Sequence, residues 1–181
     1  MLQIAESRIS ETDLSIKMTE GNIEETPFND HEFDLIFAEG GVISLTPDPE
    51  QMMKEFKRIT KPGGYIWIDY LNLHGWALLQ PDIENRSKLA EQEEETIYMG
   101  KHEIPFRLFA PKRIRYMLYD SGFLELNEFG NGIISNPLKE DHEFEHADLD
   151  LIKESELALS RNYIMTGAAF HIQVLAQKII H

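Results

Sequence analysis

Residues 33–70 of the chain, FDLIFAEGGVISLTPDPEQMMKEFKRITKPGGYIWIDY, hold two short apolar runs separated by a loop, a helical pattern and a Pro-Gly-Gly turn. The apolar residues of 33–38 and 65–70 are consecutive rather than alternating, which is typical of parallel strands buried on both faces. Asp48 is a suitable N-cap for the intervening helix, and Pro49 fits its first turn. The stretch therefore predicts a strand–helix–strand unit in a parallel sheet covered by helices.

The composition limits what the protein can be. A chain of 181 residues with 42% hydrophobic residues predicts one globular domain over 1–181. The net charge of −15 argues against binding to nucleic acid or to anionic membranes. No run is long enough to span a membrane and no signal peptide is present, so we expect a cytoplasmic protein. Cysteine is absent, and we interpret the acidic stretch around His142 and His146 as a solvated loop, so no metal site is predicted.

Further elements are predicted on both sides of the central unit. Residues 1–11 predict a helix, and alternating apolar residues at 14–20 predict a strand. Segment 71–109 contains a charged helix and a hairpin that turns near Gly100. Because this segment is too long for a simple crossover, we interpret it as an insertion or a substrate lid. The remaining predicted elements are a helix from Pro111, a strand near 123–129, a helix at about 147–162 and an alternating strand at 168–178.

The order of these elements, with the sequences GNIEETPF (21–28) and KPGGYIWIDY (61–70), resembles the class I S-adenosylmethionine-dependent methyltransferases that act on small molecules. These enzymes carry the motifs G-D-A-x-x-L-P-F and L-K-P-G-G. The resemblance implies an α/β Rossmann-like fold with helices on both faces of a mostly parallel sheet. It also implies an antiparallel last strand, the strand order 3-2-1-4-5-7-6, S-adenosylmethionine as cofactor, and methyl transfer to a small-molecule acceptor.

The resemblance places the cofactor at the carboxyl ends of the strands, in the crevice where open α/β sheets bind ligands. The family's adenine-recognising positions fall on Asn22 and Ile23. Asn22 stands where the family usually has Asp, and its amide oxygen can still accept a hydrogen bond. The positions beside the methionine portion and the sulfonium of the cofactor are Ala38, Glu39, Gly40 and Ile43.

Residues on the acceptor side are less well defined, because an activated sulfonium methyl needs mainly alignment with its acceptor in a dry site. A base is required only if the acceptor must lose a proton, and the candidates are Glu39, Asp69, Tyr70 and His74. We therefore assign no catalytic residue. The predicted substrate-side residues are Tyr70, His74 and Trp76.

The first strand, the Gly-rich loop and the second strand of the family pattern have no counterpart before residue 33. Family members have a first strand, a Gly-rich loop that lets backbone approach the cofactor, and a second strand whose acidic end holds the ribose. Gly40-Gly41 and Gly63-Gly64 occupy other places in the order. The sequence predicts either the C-terminal portion of a methyltransferase, through a misassigned start or a real truncation, or a chain that re-pairs its strands or swaps one with a partner such as a second copy. The alternative function is a non-catalytic methyltransferase-like module that acts through association.

Overall fold

The computed structural model describes residues 2–135 and 148–180 of the chain. The described helices are α1 (Leu2–Ser10), α2 (Val42–Leu45), α3 (Pro49–Ile59), α4 (Leu73–Leu79), α5 (Ile83–Ala90), α6 (Pro111–Asp120), α7 (Leu149–Ser160) and α8 (Tyr163–Thr166). The described strands are β1 (Phe33–Ala38), β2 (Thr60–Leu71), β3 (Glu94–Met99), β4 (Ile104–Phe109), β5 (Phe123–Asn131) and β6 (His171–Lys178). No helix in these ranges combines the length and the apolar character that crossing a membrane requires.

Four strands form the main sheet, in the order β1-β2-β6-β5. β1 and β2 are parallel, whereas β6 runs antiparallel to both β2 and β5. Three strands therefore point one way and the last strand of the chain points the other way. This confirms the predicted α/β fold with a mostly parallel sheet, and the observed order is the second half of the strand order that the resemblance implied.

The central strand–helix–strand unit forms as predicted. Asp48 caps α3 by accepting a hydrogen bond from the backbone N–H of Gln51 at 2.9 Å. The apolar stripe of α3 places Met52, Met53 and Phe56 against one face of the sheet, where α6 packs beside them. Fully burying such a side chain contributes about 1.5–3 kcal/mol, so this stripe holds the unit together.

The other face of β1 is open in the described residues. Leu35 is 52% exposed and Phe37 is 64% exposed. Leu35 is in register with Tyr65 and Phe37 with Trp67, so this apolar face continues onto β2. The prediction that strand 33–38 is buried on both faces is therefore wrong. Consecutive apolar residues in a strand show that both of its faces are apolar. They do not show that another element of the chain covers each face.

The predicted strand at 14–20 does not form. Leu14 and Ile16 are exposed, and no described strand pairs with this segment. A strand is held by hydrogen bonds to a neighbouring strand, so alternation of apolar residues is not sufficient. The predictions of α1, the β3–β4 hairpin, α6, β5, α7 and β6 are confirmed, with differences only at their ends.

The segment 71–109 forms a small hydrophobic core of its own. Its buried members are Leu71, Leu73, Ala77, Leu89 and Leu108. The hairpin returns to the main sheet through a parallel bridge between Asn72 and Phe109. The segment is thus packed against the end of β2, and its role as a substrate lid stays a prediction.

Lys178 is a buried cation that joins the last strand to the end of α3. Its Nζ donates to the carbonyl oxygens of Lys57 at 2.6 Å and Thr60 at 2.7 Å. Carbonyls at a helix C-terminus carry partial negative charge and favour a cation. We expect Lys178→Met to lower the free energy of unfolding by about 2 kcal/mol, because the buried carbonyl of Thr60 and the partly buried carbonyl of Lys57 lose a charged donor.

Urea denaturation followed by circular dichroism measures this change. Lys153→Met is the matched control, since that side chain is largely exposed and pairs only with Asp150 on its own helix in the described residues. Equal stability of the Lys178→Met and Lys153→Met variants would contradict the role assigned to Lys178.

Candidate functional site

A groove of about 430 Å³ runs along β1 at the open edge of the main sheet. Its volume is within the range of about 300–1,000 Å³ that is typical of small-molecule sites. The loop before β1 contributes Ile23, Thr26 and Phe28, the strand and the residue after it contribute Phe33 and Leu35 to Glu39, and the helices contribute Val42, Phe56 and Ile59. The groove is therefore mostly apolar, with a carboxylate at the carboxyl end of β1.

One buried carboxylate holds the outer wall of the groove against α3. Glu55 Oε1 accepts from the backbone N–H of Thr26 at 2.8 Å and from its hydroxyl at 2.6 Å. Arg58 donates to the two oxygens of Glu55 at 2.8 and 2.6 Å and to Asp30 at 2.7 Å. The hydrogen bonds from Arg58 lower the pKa of Glu55 to about 2, against the opposing effect of burial. Such charge-assisted bonds fix the loop in position beside β1.

A second carboxylate ties the same loop to the start of α3. Glu24 Oε1 accepts from the hydroxyl of Thr46 at 3.0 Å and from the backbone N–H of Asp48 at 2.9 Å. Farther along the loop, the ring of Phe28 packs edge-on against Phe33, with 4.9 Å between centroids. The apolar side chains of the loop are thus held facing β1.

The turn that follows β1 is anchored to the end of β2. Gly40 and Gly41 have φ angles of 91° and 72°, a left-handed backbone that strains any other residue. The backbone N–H of Gly41 donates to Asp69 Oδ1 at 2.7 Å, and Asp69 Oδ2 lies 3.3 Å from His171 Nδ1. Because Asp69 is only 4% exposed, this carboxylate fixes the turn from inside the protein.

Glu39 places a negative charge at the end of the groove. Its carboxylate accepts from Trp67 Nε1 and, at 3.3 Å, from Gln173 Nε2. A carboxylate so held attracts a cationic ligand group. Across residues 2–135 and 148–180, no three His, Asp or Glu side chains are grouped to hold a metal ion, and His142 and His146 lie outside these ranges.

The structure brings three of the predicted cofactor residues together, since Ile23, Ala38 and Glu39 line the same groove. Gly40 begins the turn at its end. Asn22 lies outside the lining of this groove, where its amide oxygen accepts from the backbone N–H of Glu24 at 3.1 Å. A role of Asn22 toward adenine stays a prediction.

Ile43 is not placed as expected. It is almost fully buried in the core, and its neighbour Val42 lines the groove instead. The reason is the short helix α2, which the sequence did not predict and which places Ile43 in the main hydrophobic core. The residue expected near the sulfonium is therefore a core residue and does not line the groove.

The three predicted substrate residues are not brought together. Tyr70 is fully buried in the main core, where burial raises the pKa of its hydroxyl. Since side chains alternate along a strand, it is Asp69 that points toward the turn after β1. His74 lies in a separate cavity beside Arg86, where burial lowers its pKa. Trp76 packs against Phe170, with 5.8 Å between ring centroids.

The sequence analysis did not predict that Asp69 anchors the turn after β1 or that Glu55 anchors the loop before it. Asp69 was considered only as a base, and its bond to the turn at Gly41 depends on a contact between distant strands. Glu55 lies three residues after Met52 and four before Ile59, which places it on the apolar face of α3. A charged residue on the apolar face of a helix indicates that a partner for it is buried there. The role of Glu55 in holding the loop could therefore have been predicted.

The sequence has relatives among known enzymes. Residues 1–68 match the family model described as a methyltransferase domain. The demethylmenaquinone methyltransferase of Listeria monocytogenes (strain HCC23) is 35% identical over 80 residues, which cover 42% of this chain and 33% of the relative. The corresponding enzyme of Geobacillus sp. (strain WCH70) is 36% identical over 67 residues, covering 36% and 28%. The matched segment thus spans about a third of the length of these curated relatives.

Solved structures share the fold along the chain. An S-adenosylmethionine-dependent methyltransferase of Methanosarcina mazei aligns with a TM-score of 0.61 and 16% identity over 99% of this chain and 77% of its own. A possible histamine N-methyltransferase of Thermotoga maritima aligns with a TM-score of 0.59 and 19% identity over 98% and 69%. Residues 1–68 thus match a methyltransferase domain, and the described part of the chain has the fold of S-adenosylmethionine-dependent methyltransferases.

Proposed function

We propose that the protein binds S-adenosylmethionine in the groove beside β1 and takes part in methyl transfer to a small-molecule acceptor. The observation that carries this proposal is the convergence of two separate stretches of sequence on one groove, Ile23 from the loop before β1 and Ala38-Glu39 from its end. The resemblance had assigned all three to the cofactor.

The residues of the groove fit part of this cofactor. Apolar walls at Ile23 and Phe28 suit a flat adenine ring, and the carboxylate of Glu39 suits a cationic methionine portion. At Gly40 and Gly41 a Cβ atom would meet nothing within 4 Å, so a ligand can approach the backbone closely. S-adenosylmethionine supplies the activated methyl group, and the chain contributes alignment and exclusion of water.

The fold alone does not decide the reaction, because the cyclase SpnF also aligns, with a TM-score of 0.54 and 14% identity over 98% of this chain and 61% of its own. The curated relatives are named for methylation of demethylmenaquinone, which supports a quinone as the acceptor. The acidic, cysteine-free composition supports the cytoplasmic location that we propose with this function.

Isothermal titration calorimetry with S-adenosylhomocysteine tests the proposal. We expect saturable binding with a dissociation constant of about 1–100 μM. Adenosine and homocysteine, titrated separately, are the controls and are expected to bind more weakly because each fills only part of the groove. Absence of saturable heat with S-adenosylhomocysteine at millimolar concentration would contradict the proposed function.

We also propose that, when no cofactor is bound, the open edge of β1 pairs with a second copy of the chain. Because Leu35 to Glu39 also line the groove, the second copy and the cofactor exclude each other. The pattern of β1 supports this partner, because an antiparallel two-fold pairing centred on Ile36 places Leu35 of each copy opposite Phe37 of the other. An unpaired apolar edge strand is a template for such pairing. We expect a dimer in light scattering that strengthens with salt, since each copy carries a net charge of −15.

The variant Phe37→Lys is expected to shift this dimer to monomer, because it places a charge in the apolar cross-strand pair. Leu157→Lys is the matched control, since it changes an exposed apolar residue on α7 rather than on β1. A wild-type chain that stays monomeric at high protein concentration and high salt would contradict the pairing.

A further inference from the structure

A smaller cavity of about 240 Å³ lies between α4, the end of β5 and the connection from α8 to β6. It is lined by Gly75, Leu78, Gly132, Ile133, Met165 and Phe170, together with Leu79 and Ala168. His171, the first residue of β6, pairs with the last residues of both β2 and β5. The cavity is therefore at the carboxyl edge of the main sheet, as is the turn after β1.

One wall of this cavity is fixed. Gly75 of α4 approaches the carbonyl oxygen of Ala169 so closely that a Cβ atom would overlap it. The buried amide of Asn72 donates to the carbonyl oxygens of Gly167 at 3.0 Å and Ala169 at 2.7 Å. Separation of α4 from this connection would leave buried polar groups unpaired, so the wall is preformed.

The opposite wall is held by a single carboxylate of α7. Glu156 accepts from three consecutive backbone N–H groups, those of Ile133 at 2.6 Å, Ile134 at 3.0 Å and Ser135 at 3.1 Å. Consecutive backbone N–H groups of this kind form a cradle for an anion. No described side chain of α7 is buried, so few apolar contacts add to this attachment.

We propose that this cavity binds a small, uncharged ring molecule and that Glu156 is the latch that holds Ile133 in the wall of the cavity. The lining contains no charged side chain, and Phe170 with Trp76 behind it provides an aromatic wall. The cavity is smaller than the range of about 300–1,000 Å³ of most ligand sites, which favours one or two fused rings. Binding of this molecule is independent of the binding of S-adenosylmethionine that we propose beside β1.

Titration with 1,4-naphthoquinone tests the cavity. This probe is uncharged and quenches tryptophan fluorescence, and the chain has no cysteine that it could alkylate. We expect saturable quenching that is lost in Trp76→Phe and at least tenfold weaker in Ala168→Leu, which fills the cavity. Met165→Phe is a second filling variant, and circular dichroism identifies which of the two is folded. Quenching that is linear, or that is unchanged in the folded filling variants, would overturn the proposed site.

Hydrogen exchange tests the latch. We expect the amides of residues 133–135 to exchange at least tenfold faster in Glu156→Ala, because they lose their common acceptor. The matched control is Glu154→Ala, an exposed glutamate on the same helix. Equal exchange of residues 133–135 in the two variants would overturn the latch. Because no S-adenosyl compound is present in either experiment, a failure here is distinct from a failed calorimetric titration.

Discussion

Replacing Glu55 by alanine is expected to lower the free energy of unfolding by about 2–3 kcal/mol and to weaken S-adenosylhomocysteine binding at least about tenfold. The physical reason is that Thr26 loses the acceptor of two hydrogen bonds and Arg58 loses its buried partner. The loop that forms the outer wall of the groove is then released from α3. Urea denaturation measures the first effect and calorimetry the second.

Lys54→Ala is the control for this substitution, because Lys54 is exposed on the same helix. It is expected to change neither stability nor binding. If Glu55→Ala loses stability but binds S-adenosylhomocysteine as wild type does, the loop is not a wall of the ligand site.

The contribution of Glu55 to the free energy of unfolding depends on pH. The pKa of Glu55 is lowered from 4.5 to about 2 in the folded protein, chiefly by hydrogen bonds from Arg58. A lowered folded pKa means that its contribution is complete above pH 4.5 and is lost as pH falls toward 2. We expect wild type to lose about 2 kcal/mol more than Glu55→Gln over this window, after allowance for the partial exposure of Arg58. Parallel stability profiles of the two proteins would contradict this assignment.

Replacing Asp69 by alanine is the second change with a large expected effect. It removes the buried acceptor for the N–H of Gly41 and the partner of His171, at a cost of about 2 kcal/mol in unfolding free energy. The turn after β1 loses its anchor, so we expect S-adenosylhomocysteine binding to fall at least about tenfold. Calorimetry and urea denaturation measure the two effects.

Asp69→Asn is the matched variant, because its amide oxygen can still accept from Gly41. We expect it to retain most of the wild-type affinity. Binding that is equally weak in Asp69→Asn and Asp69→Ala would show that the charge of Asp69, rather than its hold on the turn, matters for the site.

The central unit was predictable because its signals are local. An N-cap at Asp48, an apolar stripe through Met52 and Phe56, and a Pro-Gly-Gly stop each act within a few residues of the chain. The antiparallel last strand and the convergence of Ile23 and Glu39 required the resemblance, because strand order depends on contacts between distant segments.

Two of the remaining errors share a physical cause, which is that a sequence pattern does not specify which other segment a residue pairs or packs with. Residues 14–20 alternate like a strand but find no neighbour among the described strands. Tyr70 and Asp69 are adjacent in sequence, and only the register of β2 decides that Tyr70 enters the core while Asp69 points to the turn. Ile43 was misplaced because α2 is too short to carry a periodic signal.

The location of the ligand site is tested most directly by following the glycine amides of the ¹⁵N-labelled protein during titration with S-adenosylhomocysteine. The groove beside β1 predicts that the resonances of Gly40 and Gly41 shift and saturate with the calorimetric dissociation constant. The resonance of Gly100, which lies in the turn of the β3–β4 hairpin, is expected not to shift. A ligand that binds while Gly40 and Gly41 do not shift would contradict the site.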